Sequence, residues 1–226
     1  MWKMLHDNVF IVGSEKTLFV IDEFFNVLAR TAMGQTAELM LTYYNRYDFT
    51  DDYCYYILDG KSGYYTVAGP LRLGAILAED NRTRLEETIF PVLDEFGYNL
   101  GRAFQIIDDV LDLVTDFRGL KKQRGNDIYE SKRSLILSHL LSHAKSHEKE
   151  KIISIYSKPR VGKTEVDINY ILSLMESYGS IEYAKKRAKE FADQSLYLFD
   201  RIDFFTNVDA RDRLRKGIDF ILNRDF

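Results

Sequence analysis

The 226-residue chain has a single cysteine, Cys54, so no internal disulfide can form. Reliance on packing alone fits a reducing, cytoplasmic setting. There are only three prolines, Pro70, Pro91 and Pro159, so little interrupts a helix. No apolar run approaches the ~18 residues of a membrane-spanning helix. The N-terminal MWKMLHDNVF lacks the basic start and long apolar stretch of a secretion signal. No sign of charge dominates: 31 Lys and Arg against 35 Asp and Glu leave a net charge of −4. That balance offers no general attraction to nucleic acid. Low-complexity tracts, short repeats and the alternation of strands are also missing.

What is present is helical periodicity and enough apolar residues, 46%, for a substantial core. The expected architecture is one all-α domain over residues 1–226. Ser14 is placed to cap a helix over roughly 15–45, and Thr50 another, with Asp51 and Asp52 on its positive end. A third helix is expected from about Lys61 to Glu79, bent at Gly69-Pro70, and a long one over about 82–117. Helices resume near Ile128, and Thr164, Ser180 and Asn207 are placed to cap the last three. KPRVGK (158–163) reads as a linker, too short to separate a second domain.

The stretch FQIIDDVLD (104–112) carries three aspartates among large apolar residues. At 100° per residue, Gln105, Asp108, Asp109 and Asp112 fall within an arc of about 100°. Phe104, Ile106, Ile107, Val110, Leu111, Leu113 and Val114 fill the other directions. A surface helix shows the reverse pattern, so the carboxylates are expected to face a cavity. There they repel one another and lose hydration; some stay protonated or a cation neutralises them. All-oxygen ligands point to Mg²⁺ or Ca²⁺ rather than zinc or copper. Mg²⁺ is usually shared between one or two carboxylates and phosphate oxygens, so the stripe predicts a phosphorylated ligand. The competing explanation is a solvated acidic face or an internal salt-bridge cluster. Charge for a diphosphate could come from Lys121, Lys122 and Arg124 in the following loop, from Lys132 and Arg133, and from Lys61, beside Ser62 and Gly63.

Four segments then occur in a familiar order: GQTAEL (34–39), KSGYYTVAGPLRLGAIL (61–77), LGRAFQIIDDVLD (100–112) and KKQRGNDIYESKRS (121–134). With GSIEYAKKRAKEFADQSLYLF (179–199), they resemble the trans-isoprenyl diphosphate synthases, the polyprenyl synthetase family, in its short-chain, geranylgeranyl diphosphate synthase-like form. The resemblance implies an isoprenoid-synthase-type helical bundle. It also implies a Mg²⁺-dependent condensation of isopentenyl diphosphate with an allylic diphosphate, by way of an allylic carbocation. It makes Asp108, Asp109 and Asp112 metal ligands and Gln105 a residue of the same pocket. Lys61, Lys122 and Lys132 become diphosphate contacts, Gln35 part of the lining of the allylic pocket, and Ser62, next to Lys61, a further substrate-binding residue. Lys61, Gln105 and Lys122 are thereby the catalytic candidates.

Departures from the family pattern are Ser62 for threonine, Glu38 for aspartate, Ser131 for glycine and Ser134 for threonine. The largest is the absence of a first aspartate-rich motif before Gly34. HDN (6–8) has one acid, and TDDYCYY (50–56) follows the Gly-Gln pair and reads as a helix start. The bundle is therefore expected to be incomplete at its N-terminus. Two readings follow: a prenyltransferase chain, or a non-catalytic subunit that binds and modulates a complete synthase. Either implies a homo-oligomer or a heteromer. A terpene cyclase shares the metal chemistry, but the three lysines and the motif order suit a synthase better.

Other features carry less. His139, His143 and His147 recur at metal-binding spacing, but in a stretch polar enough to be expected at the surface. VGKT (161–164) lacks the earlier glycine of a phosphate-binding loop, position 157 being Ser157. The aromatics, 14% of the chain, are expected mainly in the core.

Overall fold

Short helices α1 (Trp2–Asp7) and α2 (Val9–Val12) lead into α3 (Ser14–Tyr43), the longest helix. The cap position of α3 is Gly13, in a backbone conformation with φ 90° that glycine adopts freely, and Ser14 is already helical. The expectation of a Ser14 cap is thus off by one residue. The computed structural model describes residues 2–114 and 124–222, and all regular structure among them is helical.

Helix α4 (Asp51–Leu58) starts as its sequence requires: the Thr50 hydroxyl accepts from the Tyr53 N–H at 3.3 Å, with Asp51 and Asp52 in the first turn. It then continues through a π-helical segment (Asp59–Ala68) into α5 (Gly69–Ala78). The separate third helix expected at Lys61 is therefore a continuation of the second. At the end of the wide turns the Gly69 N–H reaches back five residues to the Tyr64 carbonyl, just before Pro70. Proline has no N–H to give and would crowd the carbonyl four residues behind; a widened turn accommodates both. Pro91 repeats the arrangement, after α6 (Arg82–Arg84), a π-helical turn (Leu85–Ile89) and the first residue of α7 (Phe90–Val114).

The remaining helices are α8 (Asn126–Tyr129), α9 (Leu135–His143), α10 (Ser146–Tyr156), α11 (Glu165–Ser177), α12 (Ser180–Arg201) and α13 (Val208–Leu222). Thr164 and Asp167 form a reciprocal capping box on α11, and Asn207 accepts from the Ala210 N–H at 2.9 Å. Ser180 is not a cap: Gly179, at φ 66°, precedes α12, and the Ser180 hydroxyl lies 3.0 Å from His139 Nδ1.

Helix α7 is the axis of the bundle, packed by α12 on one side and the π-helical segment on another. Ala184, Ala188, Ala192 and Ser195 line the buried side of α12 at helical spacing and allow close approach. The main core gathers Ile106, Val110 and Leu113 of α7 with residues of α4, α9, α10 and α11. Cys54 is buried in it, and burial pushes its thiol far above the usual range, which leaves it unreactive.

A second centre is ionic. Arg72 of α5 grips both carboxylate oxygens of Glu23 on α3, at 2.8 and 2.9 Å, and reaches Asp94 of α7 at 3.1 Å. The Tyr64 hydroxyl donates to Glu23 at 2.6 Å, and the guanidinium lies 3.8 Å from the Phe90 ring centre. One cation thus ties three helices together.

Close backbone contacts set the spacing around the site. A Cβ on Gly101 would lie 2.2 Å from the Cα of Gly63, and one on Gly34 would lie 2.8 Å from the Lys61 nitrogen. Gly101→Ala must push α7 off the π-helical segment. It is expected to lower stability by about 1–3 kcal/mol through overpacking, against the ~1 kcal/mol that alanine gains in a helix. An unchanged urea midpoint would show that the contact is not tight.

Candidate functional site

The two glycine contacts put three helical segments side by side at one end of the bundle. From α3 come Gln35 and Glu38, from the π-helical segment Lys61 and Ser62, and from α7 Gln105 and the aspartates. Lys61 Nζ lies 2.5 Å from Glu38 Oε2, and Gln35 Nε2 donates to the same oxygen at 3.3 Å. One residue on, the Ser62 hydroxyl donates to Gln105 Oε1 at 2.9 Å. The Gln105 amide turns its nitrogen to the acidic stripe, 3.0 Å from Asp109 Oδ1 and 3.5 Å from Asp108 Oδ2.

Asp109 and Asp112 are buried, while Asp108 is half-buried. Asp109 Oδ1 accepts from Lys132 Nζ at 2.6 Å, and the same ammonium reaches Asp127 Oδ2 at 3.0 Å. Asp112 Oδ2 accepts from the Asp127 backbone N–H at 2.8 Å and so tethers α8 to α7. Burial alone would lower the Lys132 ammonium, but Asp109 and Asp127 overturn this and hold it well above the usual lysine range. Burial pushes Asp127 up to about 6; Lys132 works against the rise, and Asp109 and Asp112 add to it.

The inward-facing stripe expected from the periodicity is present, and Gln105, Asp108, Asp109, Ser62 and Lys132 meet in one network. Lys61 and Gln35 join each other through Glu38, beside that network. Lys121 and Lys122 lie outside the described residues. Two other basic candidates sit elsewhere. Arg124 donates to the Leu113 carbonyl at 2.6 Å and reaches toward Glu176. Arg133 is buried against the carbonyls of Arg46 and Ser131. Asp51 takes the hydroxyls of Ser138 and Tyr183, a structural use that fits its reading as a helix start. His139 departs from its expected surface position: it is half-buried, stacked 4.1 Å from His143 and 4.3 Å from Tyr183. Asp127, within KKQRGNDIYESKRS, is a site residue that spacing did not single out.

Among the described residues, no three His, Cys, Asp or Glu side chains converge to form a cation cage on their own. The donors on offer are nonetheless carboxylate oxygens, Asp108 and Asp109, although Asp109 Oδ1 already accepts from the Lys132 ammonium and from Gln105. Such a set suits Mg²⁺, which needs only one or two carboxylates when phosphate oxygens complete its shell.

The polyprenyl synthetase family pattern matches residues 3–175. The chain belongs to the polyprenyl synthetase family. The chain is 31% identical over 185 residues to an octaprenyl diphosphate synthase of Escherichia coli, a match covering 82% of the chain and 53% of that enzyme. The geranylgeranyl pyrophosphate synthetase of Pyrococcus horikoshii Ot3 superposes with a TM-score of 0.77 at 27% identity, covering 95% of this chain and 61% of that one. A geranylgeranyl pyrophosphate synthase from Corynebacterium glutamicum, complexed with isoprenyl diphosphate and magnesium, shares the fold with a TM-score of 0.79 at 22% identity, covering 95% and 57%. The chain spans about half the length of the curated relatives it matches.

The raised Asp127 gives a pH signature. Between about pH 4 and pH 6 the folded chain keeps a proton on Asp127 that the unfolded chain has released. This group's contribution to stability therefore falls as pH rises through that window. Asp127→Asn is expected to flatten that part of the pH–stability curve in urea unfolding; identical slopes in both proteins would refute the assignment.

Proposed function

We propose that this chain supplies the diphosphate-binding wall of a prenyl diphosphate synthase, which joins isopentenyl diphosphate to an allylic diphosphate. The observation that carries the reading is the Gln105–Asp108–Asp109 network with Lys132 drawn into it, next to Ser62 and Lys61, in a chain of this family. Lys132 and Lys61 each carry a positive charge that a carboxylate already holds in place. An arriving diphosphate meets fixed cations and needs no reorganisation to be bound. Gln105, pinned by Ser62, presents its amide nitrogen to the carboxylates and holds their orientation. Lys122 remains a proposed third diphosphate contact, and Gln35 a wall of the allylic pocket. Asp108 and Asp109 would hold Mg²⁺, with Asp112 supporting from the next turn; the ion would supply positive charge to stabilise a departing diphosphate. Matching relatives include makers of both short and long products, so the likeness supports the reaction type and not a product length.

Asp108→Ala is expected to weaken magnesium-dependent pyrophosphate binding at least about tenfold, the scale of removing one hydrogen bond to a charged group. Calorimetry giving equal affinities would remove Asp108 from the site.

A specific observation favours a partner. Leu18, Phe25, Leu28, Met33, Leu39 and Met40 are all exposed. On α3 they fall within an arc of about 140°, shared with the exposed Asp22 and Thr36, so the solvent side of the longest helix is mostly apolar. A water-facing helix shows the opposite pattern, and a mostly apolar stripe of this kind marks an association surface. The first aspartate-rich motif that the family resemblance implies, and that does not precede Gly34 here, would then come from the chain that covers this stripe. Phe25→Asp with Leu39→Asp is expected to convert an associated species to monomer in sedimentation velocity. Isopentenyl incorporation should be weak for this chain alone and rise when a complete synthase is added. Full turnover by a monomer would leave the partner without a role.

A further inference from the structure

Lys132 reaches Asp109 and Asp127 from a turn that is unfavourable for its own sequence. The end of α8 is closed by two backbone bonds: the Lys132 N–H to the Asp127 carbonyl at 2.9 Å, and the Ser131 N–H to the Ile128 carbonyl at 3.1 Å. This pair of six-to-one and five-to-two bonds is the Schellman closure, which places the residue between them in the left-handed region. That residue is Ser131, at φ 59°, where a glycine is normally found. In such a closure the two flanking positions usually make an apolar contact. Here they are Asp127 and Lys132, and they make the ion pair of the site.

Something outside the turn must hold it. Lys163, which is 7% exposed, crosses from the start of α11 and donates to the carbonyls of Ile128 at 2.9 Å and Tyr129 at 2.7 Å, and to the Ser131 hydroxyl. Ser131 in turn donates to the Tyr156 carbonyl at 2.6 Å, and its own carbonyl accepts from Arg133. All three acceptors of the Lys163 ammonium are neutral oxygens of the α8 turn and the residue closing it. Burial lowers this lysine to about 8, so its position costs stability that its three bonds must offset.

We propose that Lys163 is a positioning residue: a buried clamp that holds Ser131 left-handed and so aims Lys132 at Asp109 and Asp127. The clamp rests on the reading of Lys132 as a site residue, but its geometry can be tested without any substrate. In Ser131→Ala the left-handed cost stays and the hydroxyl bonds go. In Ser131→Gly the same bonds go and the cost goes too. The two variants therefore differ only in the backbone strain that the clamp opposes.

The readout is acetylation of Lys132 in the intact chain by acetic anhydride, followed by peptide mass spectrometry, with circular dichroism confirming the fold. Ser131→Ala and Lys163→Met are expected to raise Lys132 labelling about tenfold, the population change set by a left-handed penalty of this size. Ser131→Gly should label like the natural protein, and Ser131→Gly in the Lys163→Met background should restore protection. If Lys163→Met does not fold, the alanine–glycine pair alone decides. Equal labelling in that pair, or no rescue of a folded Lys163→Met by glycine, overturns the clamp. Calorimetry with magnesium pyrophosphate on the natural protein is run in parallel. Absence of binding there would sink the diphosphate reading and leave the labelling result standing.

Discussion

Carboxylates brought together in a partly dry interior cannot all keep their charge without a cation among them, and in this protein that cation is the Lys132 ammonium. It stands between Asp109 of α7 and Asp127 of α8. The rest of the site is arranged around this ion pair. Asp112 fixes α8 by its backbone, Gln105 fixes Asp109 by its amide, and Ser62 fixes Gln105. Three helical segments contribute to these bonds, and mutual support of this kind is how a polar network in a core becomes rigid rather than merely costly.

That rigidity begins in contacts with no chemistry of their own. Without side chains at Gly63 and Gly101, the π-helical segment and α7 can touch backbone to backbone, four residues before Gln105. The widened helix also lets the chain carry Pro70 without ending. Local backbone geometry thus decides where Lys61 and Ser62 stand relative to the acidic stripe.

Much of this was legible in the residues. The all-helical class follows from periodicity and the scarcity of proline, and Thr50, Thr164 and Asn207 cap where their side chains predict. The inward stripe at 105–112 was legible because a helix wrapped in apolar residues leaves its polar arc only one place to face. The failures have physical causes. Ser14 and Ser180 read as caps, yet in each case the preceding glycine makes the turn into the helix, and propensity alone does not separate neighbours. The π-helical widening left no composition signal beyond a proline just downstream. Arg124 and Arg133 are basic and close in sequence to the site, but long-range packing turns both onto backbone carbonyls. Lys163 belongs to a segment that reads as a linker, and nothing in its neighbours announces that it is buried.

Arg72 has a consequence for α3. Its guanidinium holds Glu23 from within the bundle, with Asp94 on the far side, so the inner side of the long helix is anchored before anything touches its outer side. To peel away, α3 would have to strand a buried carboxylate, an opening too costly to occur often. A molecule settling on the apolar stripe therefore meets a surface already in its final shape, and little of the association energy is lost in ordering it.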